Sequence, residues 1–230
     1  MELKKYKYFL KDKPNNFVEL EVTNEVFYPT ATSHFLINAA KDNIKTSGNL
    51  LDLGCGIGIV GIAVYLNGVV EKLFASDISK NATILTKKNA LSLNVPIEVI
   101  CGDKLECWRD QKFDHILNDV SGVSDEIAKH SLWFKNVPNN SGKRGADNTV
   151  DILLNAKKYL NKNGKLFFPI ISLSDIDYIL EEASSHYKNV KLLSRNEWFL
   201  PPELESKMDV LEDLKLKKYV NYSKKFGKVI

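Results

Sequence analysis

A glycine-rich turn between an apolar strand and an apolar helix restricts the fold more than any other feature. Residues 49–53, NLLDL, have the character of a buried strand, and residues 54–58, GCGIG, follow as a tight turn. Residues 59–66 read as a helix that ends at Asn67-Gly68, a pair suited to the left-handed C-cap. A strand, a glycine turn and a helix in this order indicate an α/β fold with the turn at the carboxyl edge of a parallel sheet.

Strand-like and helix-like segments alternate along the rest of the chain, so we predict a Rossmann-like α/β fold. Its sheet is predicted to be doubly wound, mostly parallel and seven-stranded, with an antiparallel edge strand. A small N-terminal strand pair (1–25) precedes the ligand-binding domain (26–230), with a turn at Lys13-Pro14-Asn15-Asn16. The predicted strands cover 6–10, 17–22, 49–53, 72–76, 97–101, 113–118, 165–171, 189–194 and 219–229. The predicted helices cover 31–41, 59–66, 80–93 capped by Ser79, 149–160, 176–187 and 203–215.

Composition excludes several classes of protein. With 44% hydrophobic and 27% charged residues, the chain is neither disordered nor fibrous. It contains no apolar run long enough to span a membrane, and its start is charged and lacks an apolar signal core. Three cysteines without a CxxC pair predict a reducing, cytoplasmic location and no metal site. A net charge of +3 neither requires nor excludes a nucleic-acid partner.

The glycine turn predicts a nucleotide-containing ligand. Missing Cβ atoms allow a ligand to approach the backbone, and the following helix offers N–H groups to an anion. The spacing Gly56-x-Gly58-x-x-Gly61 also matches a dinucleotide fingerprint. Asp52 beside the turn would repel a pyrophosphate, whereas it would favour the amino group of S-adenosylmethionine. In the alternative interpretation, the glycines only allow close packing of helix and sheet.

Two further acids follow neighbouring strands. Asp77 ends residues 74–78, FASDI, where it would accept hydrogen bonds from two ribose hydroxyls. Asp103, in residues 101–104, CGDK, is placed to accept a hydrogen bond from an adenine amino group. Each has a structural alternative, since Asp77 would also cap the next helix and Asp103 would also form a turn after glycine.

These residues resemble the class I S-adenosylmethionine-dependent methyltransferases over roughly 25–195, and within them the HemK-like N-methyltransferases. Residues 51–64, LDLGCGIGIVGIAV, are similar to the first family motif, and Asp77 to the acid of the second. Residues 26–33, VFYPTATS, resemble the proline-containing segment ahead of the first strand, and residues 141–147 and 163–168 match the later layout. The resemblance implies methyl transfer to a nitrogen. The cofactor-binding residues it implies, together with the acids above, are Thr30, Asp52, Gly54, Gly56, Gly58, Asp77, Ile78, Asp103, Lys104 and Asn118.

One motif departs from the family. Where such enzymes carry Asn-Pro-Pro-Tyr after the fourth strand, this chain reads Asp119-Val120-Ser121-Gly122, without prolines or an aromatic ring. In that family the motif holds a planar amide or amine, and this role therefore does not transfer to residues 119–122. Asp119 is the candidate catalytic residue, because it ends a central strand beside the ligand edge and would accept a hydrogen bond or a proton from the acceptor. Alternatively, it caps the next segment or binds the cofactor's amino group.

Residues 121–148 form a long excursion, and long loops in compact domains are often functional. We predict that it contributes Ser121, Trp133 and Phe134 to the acceptor site, with one ring replacing the absent tyrosine. In the alternative, both rings pack into the core. Tyr6 and Tyr8 have the same two alternatives, strand packing or a pocket wall.

Three functions remain open at this level. The first is an S-adenosylmethionine-dependent methyltransferase with an N or O acceptor on a small molecule, protein or RNA. The second is a non-catalytic binding subunit with this fold, and the third is an NAD(P)-dependent oxidoreductase. The basic C-terminal end is either a solvated face or a contact for RNA or an acidic protein. Its lysines are Lys215, Lys217, Lys218, Lys224, Lys225 and Lys228.

Overall fold

The structure is a computed structural model that describes residues 3–10, 16–225 and 228–230. The strands are β1 (Leu3–Phe9), β2 (Phe17–Thr23), β3 (Asn49–Leu53), β4 (Lys72–Asp77), β5 (Ile97–Cys101), β6 (Phe113–Asn118), β7 (Leu160–Phe167), β8 (Lys224–Lys225) and β9 (Lys228–Val229). The helices are α1 (Ala31–Asn43), α2 (Ile59–Leu66), α3 (Lys80–Ser92), α4 (Asp125–Ala128), α5 (Asp147–Asn155), α6 (Ile176–His186), α7 (Pro202–Glu205) and α8 (Met208–Leu216). Short 3-10 turns cover Glu106–Trp108, Leu132–Phe134 and Ala156–Lys158.

The chain divides into two compact units. Unit 1 comprises Met1–Val120 and Asn155–Pro169, and unit 2 comprises Ser121–Leu154 and Ile170–Ile230. Among the described residues, no helix is both long and apolar enough to cross a membrane.

Unit 1 contains a parallel sheet in the order β5-β4-β3-β6-β7. The central strand β3 pairs on one side with β4 and on the other with β6, so that Asp52 lies opposite Ala75 and Leu117. Consecutive residues of β3 point to opposite faces of the sheet and are buried, so both faces are covered there, as the continuous apolar run predicts. The α/β class, the parallel sheet and the predicted positions of β3 to β6 are confirmed.

The predicted seven strands and the antiparallel edge strand are wrong for the described residues, because the sheet has five strands and all are parallel. Residues 189–194 have no strand assignment, and their side chains are exposed. Their apolar and β-branched residues fit a strand pattern, but a strand also needs a hydrogen-bonding partner. The edge strand predicted over 219–229 is a two-residue antiparallel pair of β8 and β9.

Strand β7 and the helix before it begin and end earlier than predicted. The helix predicted over 149–160 ends at Asn155, and β7 covers Leu160–Phe167 rather than 165–171. The pairing of β7 with β6 shifts register between Phe113 and His115, which accommodates extra residues near the start of β7. Beyond Phe167, Pro169 has no N–H group to extend the ladder.

The N-terminal strand pair packs into the core of unit 1. Strands β1 and β2 are antiparallel, and Tyr6 and Tyr8 lie on the buried face of β1. That face joins a hydrophobic cluster with residues of α1 and α2, including Leu36, Ile37 and Ile62. Of the turn predicted at residues 13–16, the first three residues lie outside the described part of the chain.

Asn89 of α3 joins the strand pair to the glycine turn. Its buried side-chain amide donates to the carbonyl oxygens of Glu21 (3.0 Å) and Ile57 (2.9 Å) and accepts from the Glu21 N–H (2.8 Å). The Asn89 side chain is buried, so its hydrogen-bonding groups are costly to leave without partners. Asn89 therefore fixes the glycine turn against β2.

Unit 2 has its own apolar cluster, formed by Val123, Ile127, Leu173, Leu204, Leu211, Leu214 and Val220. The short helix α4 follows Ser124, and the helix predicted over 176–187 is confirmed as α6. The helix predicted over 203–215 is instead two helices, α7 and α8, separated by Ser206 and Lys207.

Replacing Asn89 tests the join between β2 and the turn. Asn89→Asp keeps an acceptor for the Glu21 N–H but cannot donate to the two carbonyl oxygens. We expect the free energy of unfolding to fall by about 2–4 kcal/mol, measured by urea denaturation. The exposed Asn136→Asp serves as the control, and equal stability of the two variants would contradict this account.

Candidate cofactor and active site

The glycine turn has a backbone that only glycine adopts readily. Gly54, Gly56 and Gly58 have φ angles of +78°, +54° and +84°, in the left-handed region. The N–H groups of Gly54 and Cys55 donate to the Ser76 carbonyl oxygen at 2.9 and 3.0 Å, which ties the turn to the end of β4. A Cβ atom at Gly54 would also lie 2.9 Å from Val120 Cγ1. The turn is therefore held between β4 and the residues that follow β6.

The turn is open at Gly56 and closed at Gly58. A Cβ atom at Gly56 would meet only the Phe27 carbonyl oxygen within 4 Å, at 3.9 Å. A Cβ atom at Gly58 would lie 2.9 Å from Thr86 Cγ2, and Thr86 also donates to the Gly56 carbonyl oxygen at 2.9 Å. The open position is where a ligand can approach the backbone.

Asp52 has one satisfied and one unsatisfied oxygen. Oδ2 accepts the Gly61 N–H at 2.8 Å, in the first turn of α2, whereas Oδ1 is buried without a hydrogen-bond partner. Burial raises the pKa of Asp52 to about 7; the charges of Asp119 and Asp77 add to the rise, and the Gly61 hydrogen bond opposes it. A buried oxygen without a partner marks a place for a donor that the chain itself does not provide.

The Asp77 side chain accepts hydrogen bonds from two backbone N–H groups, one in the glycine turn and one at the start of α3. Its Oδ2 accepts the Gly56 N–H at 2.9 Å and its Oδ1 accepts the Ser79 N–H at 2.8 Å. The predicted cap of α3 is Ser79, which accepts the Ala82 N–H at 3.3 Å. Burial raises the pKa of Asp77, and the two backbone bonds oppose the rise. Each oxygen keeps a second acceptor site for a ligand. The following residue, Ile78, is exposed.

Asp119 lies just beyond β6 and is anchored on two sides. Its N–H donates to the Leu53 carbonyl oxygen at 3.0 Å, and its Oδ2 accepts the Ser33 hydroxyl at 2.7 Å. Burial raises the pKa of Asp119 to about 6, and the Ser33 hydrogen bond opposes that rise. Beside it, the buried Asn118 side chain accepts the Val120 N–H at 3.2 Å. These contacts fix the chain direction at the edge of the sheet.

The structure brings together the strand-end acids of unit 1. Asp52, Asp77 and Asp119 lie in or directly after β3, β4 and β6, at one edge of the sheet. Asp103 is exposed in the turn after β5, and Lys104 beside it has a φ of +42°. Thr30 occupies the N-cap position of α1, with its hydroxyl 2.7 Å from that of Thr32.

The three predicted acceptor residues belong to unit 2. The Ser121 hydroxyl donates to the Asn139 side chain, and the Ser121 carbonyl oxygen accepts the Ser141 hydroxyl at 2.7 Å. Trp133 and Phe134 are partly buried against the apolar cluster of unit 2. Their role in acceptor binding stays a prediction.

Ser33, Thr86 and Asn89 were not predicted as site residues. Thr86 and Asn89 lie three residues apart on the buried face of α3, and Thr83 precedes them at the same spacing. Polar residues repeated at helical spacing on an otherwise apolar face form a pattern from which Thr86 and Asn89 could have been identified in the sequence. Ser33 stands inside the proline segment, but nothing in its local pattern indicates that it meets Asp119.

A parallel sheet with a left-handed glycine turn after its central strand and acids after the next strands defines the Rossmann-like methyltransferase fold. The comparisons agree. Residues 29–119 match the family described as "Methyltransferase small domain". The matched residues include the glycine turn, Asp52, Asp77 and Asp119, so this part of the chain is similar to that family.

Known relatives include a bifunctional methyltransferase of Rickettsia typhi, 26% identical over 81% of this chain and 41% of that protein. A release factor glutamine methyltransferase of Thermodesulfovibrio yellowstonii is 26% identical over 66% of this chain and 58% of that protein. Among solved structures, the 16S rRNA N2 G1207 methyltransferase of T. thermophilus, in complex with AdoMet and guanosine, superposes with a TM-score of 0.64. It is 14% identical and covers 85% of this chain and 48% of that one. The chain thus spans about two fifths of the length of the bifunctional relatives.

The raised pKa of Asp52 predicts how stability changes with pH. Between about pH 4 and 7 the folded chain binds a proton that the unfolded chain has released, so the free energy of unfolding falls as pH rises. Without added ligand, we expect a drop on the order of a few kcal/mol between pH 5 and pH 8, measured by urea denaturation.

The substitution Asp52→Asn should make that drop smaller, because an amide keeps an acceptor for Gly61 but does not ionise. It should not abolish the drop, since burial also raises the pKa of Asp119. The exposed Asp110→Asn is the control and should leave the drop unchanged. A drop that is the same in Asp52→Asn and the wild type would contradict the assignment.

Proposed function

We propose that this protein transfers a methyl group from S-adenosylmethionine to a nitrogen or oxygen acceptor at the carboxyl edge of the unit 1 sheet. The observation that carries the proposal is the buried, unpartnered Oδ1 of Asp52 beside a glycine turn that is open at Gly56. The cofactor supplies a methyl group on a positively charged sulfur. It also carries an ammonium group, which is a donor of the kind that Oδ1 lacks.

The charges at the sheet edge favour this cofactor over a dinucleotide. Asp77 and Asp119 are both close enough to Asp52 to raise its pKa. Another negative group, such as a pyrophosphate, would add to that repulsion, whereas a cation would relieve it. This distinction supports a methyltransferase over an oxidoreductase, although the glycine spacing fits both.

The other cofactor contacts are proposed residue by residue. Asp77 accepts the ribose hydroxyls through its remaining acceptor sites, and the exposed side chain of Ile78 lies against the adenine ring. Asp103 and Lys104, after β5, meet the adenine edge. Thr30 and Asn118 complete the site near the methionine part of the cofactor.

Asp119 is proposed to face the acceptor. Methyl transfer requires an acceptor lone pair in line with the methyl–sulfur bond, and holding the two groups in that arrangement supplies much of the rate. The Asp119 carboxylate would accept a hydrogen bond from the acceptor N–H or O–H and take its proton. A pKa of about 6 leaves the carboxyl group mostly ionised, yet more basic than an ordinary aspartate, at neutral pH.

The acceptor and partners are also proposed. Ser121, Trp133 and Phe134 are candidates for acceptor contacts. The six C-terminal lysines are exposed, and two of them are paired, Lys217 with Asp213 and Lys225 with Glu197. They form a candidate contact surface for RNA or an acidic protein, and such a contact weakens steeply as salt rises.

Asp77→Asn tests the cofactor site. The amide keeps one acceptor, and it replaces the other carboxylate oxygen with a donor. Since hydrogen bonds to a charged group are worth about 1.5–3 kcal/mol, affinity for S-adenosylmethionine should fall about 10- to 100-fold, measured by calorimetric titration. Asp110→Asn should bind as the wild type does. A folded wild-type chain that binds neither S-adenosylmethionine nor S-adenosylhomocysteine would overturn the proposed function.

Asp119→Asn tests the role in the reaction. Removing the proton acceptor should lower turnover by roughly 100-fold or more, measured as S-adenosylhomocysteine release with fractionated small molecules, protein and RNA as acceptors. Cofactor affinity should change much less. If both turnover and cofactor affinity equal those of the wild type, Asp119 has no such role. If affinity alone falls, Asp119 binds the cofactor instead.

A further inference from the structure

Four ring side chains of unit 1 form an aromatic cluster, consisting of Tyr6, Tyr8, Tyr28 and His34. The Tyr6 hydroxyl is hydrogen-bonded to His34 Nε2, and the Tyr8 and His34 rings meet nearly edge to face, with centroids 5.1 Å apart. The Tyr6 and Tyr28 rings meet at 84° with centroids 5.4 Å apart. Such edge-to-face pairs hold rings in fixed orientations.

The segments that carry this cluster also touch the proposed site. His34 directly follows Ser33, whose hydroxyl donates to Asp119 Oδ2 at 2.7 Å. Tyr28 directly follows Phe27, whose carbonyl oxygen is the atom nearest to the open position of Gly56. The chain from 27 to 34 therefore runs from the glycine turn to Asp119, and its exposed ring lies between those two contacts in sequence.

Burial differs sharply within the aromatic cluster. Tyr6 and Tyr8 are 6% and 7% exposed, whereas Tyr28 is 55% exposed. Tyr28 is thus a large ring that is braced at one side by a buried ring and exposed over the rest. A ring that is already held in place loses little conformational entropy when a ligand stacks on it.

The buried tyrosines of the cluster and His34 have shifted pKa values. Burial lowers the pKa of His34, so the imidazole is neutral, and burial raises the pKa of Tyr6 to about 12. Within the described part of the chain, His34 makes ring contacts with Tyr6 and Tyr8. An exposed aromatic ring on the segment that also holds the Asp119 carboxylate suits a planar ring that has an N–H group at its edge.

We propose that Tyr28 is the stacking platform for the methyl acceptor, and that the acceptor is a planar heteroaromatic ring whose N–H points to Asp119. The inference rests on the proposed function. It supplies, from a different part of the chain, the aromatic ring that residues 119–122 lack. Tyr6, Tyr8 and His34 are positioning residues that hold Tyr28 in place.

The test uses nucleosides as probes of heteroaromatic binding. Adenosine, guanosine, cytidine and uridine are titrated separately into the full chain at saturating S-adenosylhomocysteine, so that the adenosyl site is already filled. Binding is measured by saturation-transfer NMR. We expect at least one nucleoside to bind, and Tyr28→Leu to weaken it about 10- to 100-fold, as expected for loss of one stacked ring.

Three variants make the result specific. Tyr28→Phe keeps the ring and should bind as the wild type does. Phe9→Leu removes another exposed ring, on the outward face of β1, and should also have no effect. Trp133→Leu removes the ring predicted in unit 2. All variants should keep the wild-type affinity for S-adenosylhomocysteine, which shows that they are folded.

The outcomes separate the two proposals. If the chain binds S-adenosylhomocysteine but no nucleoside, or if Tyr28→Leu binds nucleosides normally, the acceptor platform is wrong and the proposed function stands. If the loss follows Trp133→Leu instead, Tyr28 is not the platform. If a folded chain does not bind S-adenosylhomocysteine, the proposed function itself fails.

Discussion

The hydrogen bond between the Asp52 carboxylate and the Gly61 N–H joins the central strand to the helix that follows the glycine turn. The N-cap residue of α2 is Gly58, which has no side chain to satisfy the first free N–H groups of the helix. Asp52 performs that task from β3. A Cβ atom at Gly61 would lie 3.0 Å from Asp52 Cβ and 2.7 Å from Leu73 Cδ1, so the close approach requires glycine there. The geometry of the whole turn depends on this contact.

The same carboxylate sets the electrostatics of the site. The positive end of a helix favours a charge on Asp52, while burial and two neighbouring acids oppose it. Three carboxyl groups on adjacent strand ends would not stay ionised together without compensation. The chain provides hydrogen bonds from Gly61, Gly56, Ser79 and Ser33. A bound cation would further offset the repulsion among the three carboxyl groups, and this favours a ligand that carries positive charge.

The sequence was informative wherever a local pattern determines the structure. Strands β3 to β6, α2 and the cap at Ser79 follow from apolar runs, glycines and a capping residue, all within a few positions. The sequence-based predictions were wrong where contacts between residues far apart in the chain determine the structure. Residues 189–194 have strand-like composition without a pairing strand, and β7 shifts register against β6. The Ser33–Asp119 bond joins residues 86 positions apart, and no local pattern encodes such a contact. The acids of the candidate site were predicted because a strand end is recognised from neighbouring residues, whereas the Ser33 hydroxyl that holds Asp119 is remote in the sequence.

The Asn89 bonds have a practical consequence for anyone shortening this protein. Strands β1 and β2 form a small two-stranded sheet that is easily taken for a dispensable extension ahead of the parallel sheet. Yet the Asn89 side-chain amide is hydrogen-bonded to both that sheet and the glycine turn. Trimming the chain back to the proline segment would leave a buried asparagine with missing partners and would loosen the turn, so a fragment without these strands is a poor substitute for the intact protein.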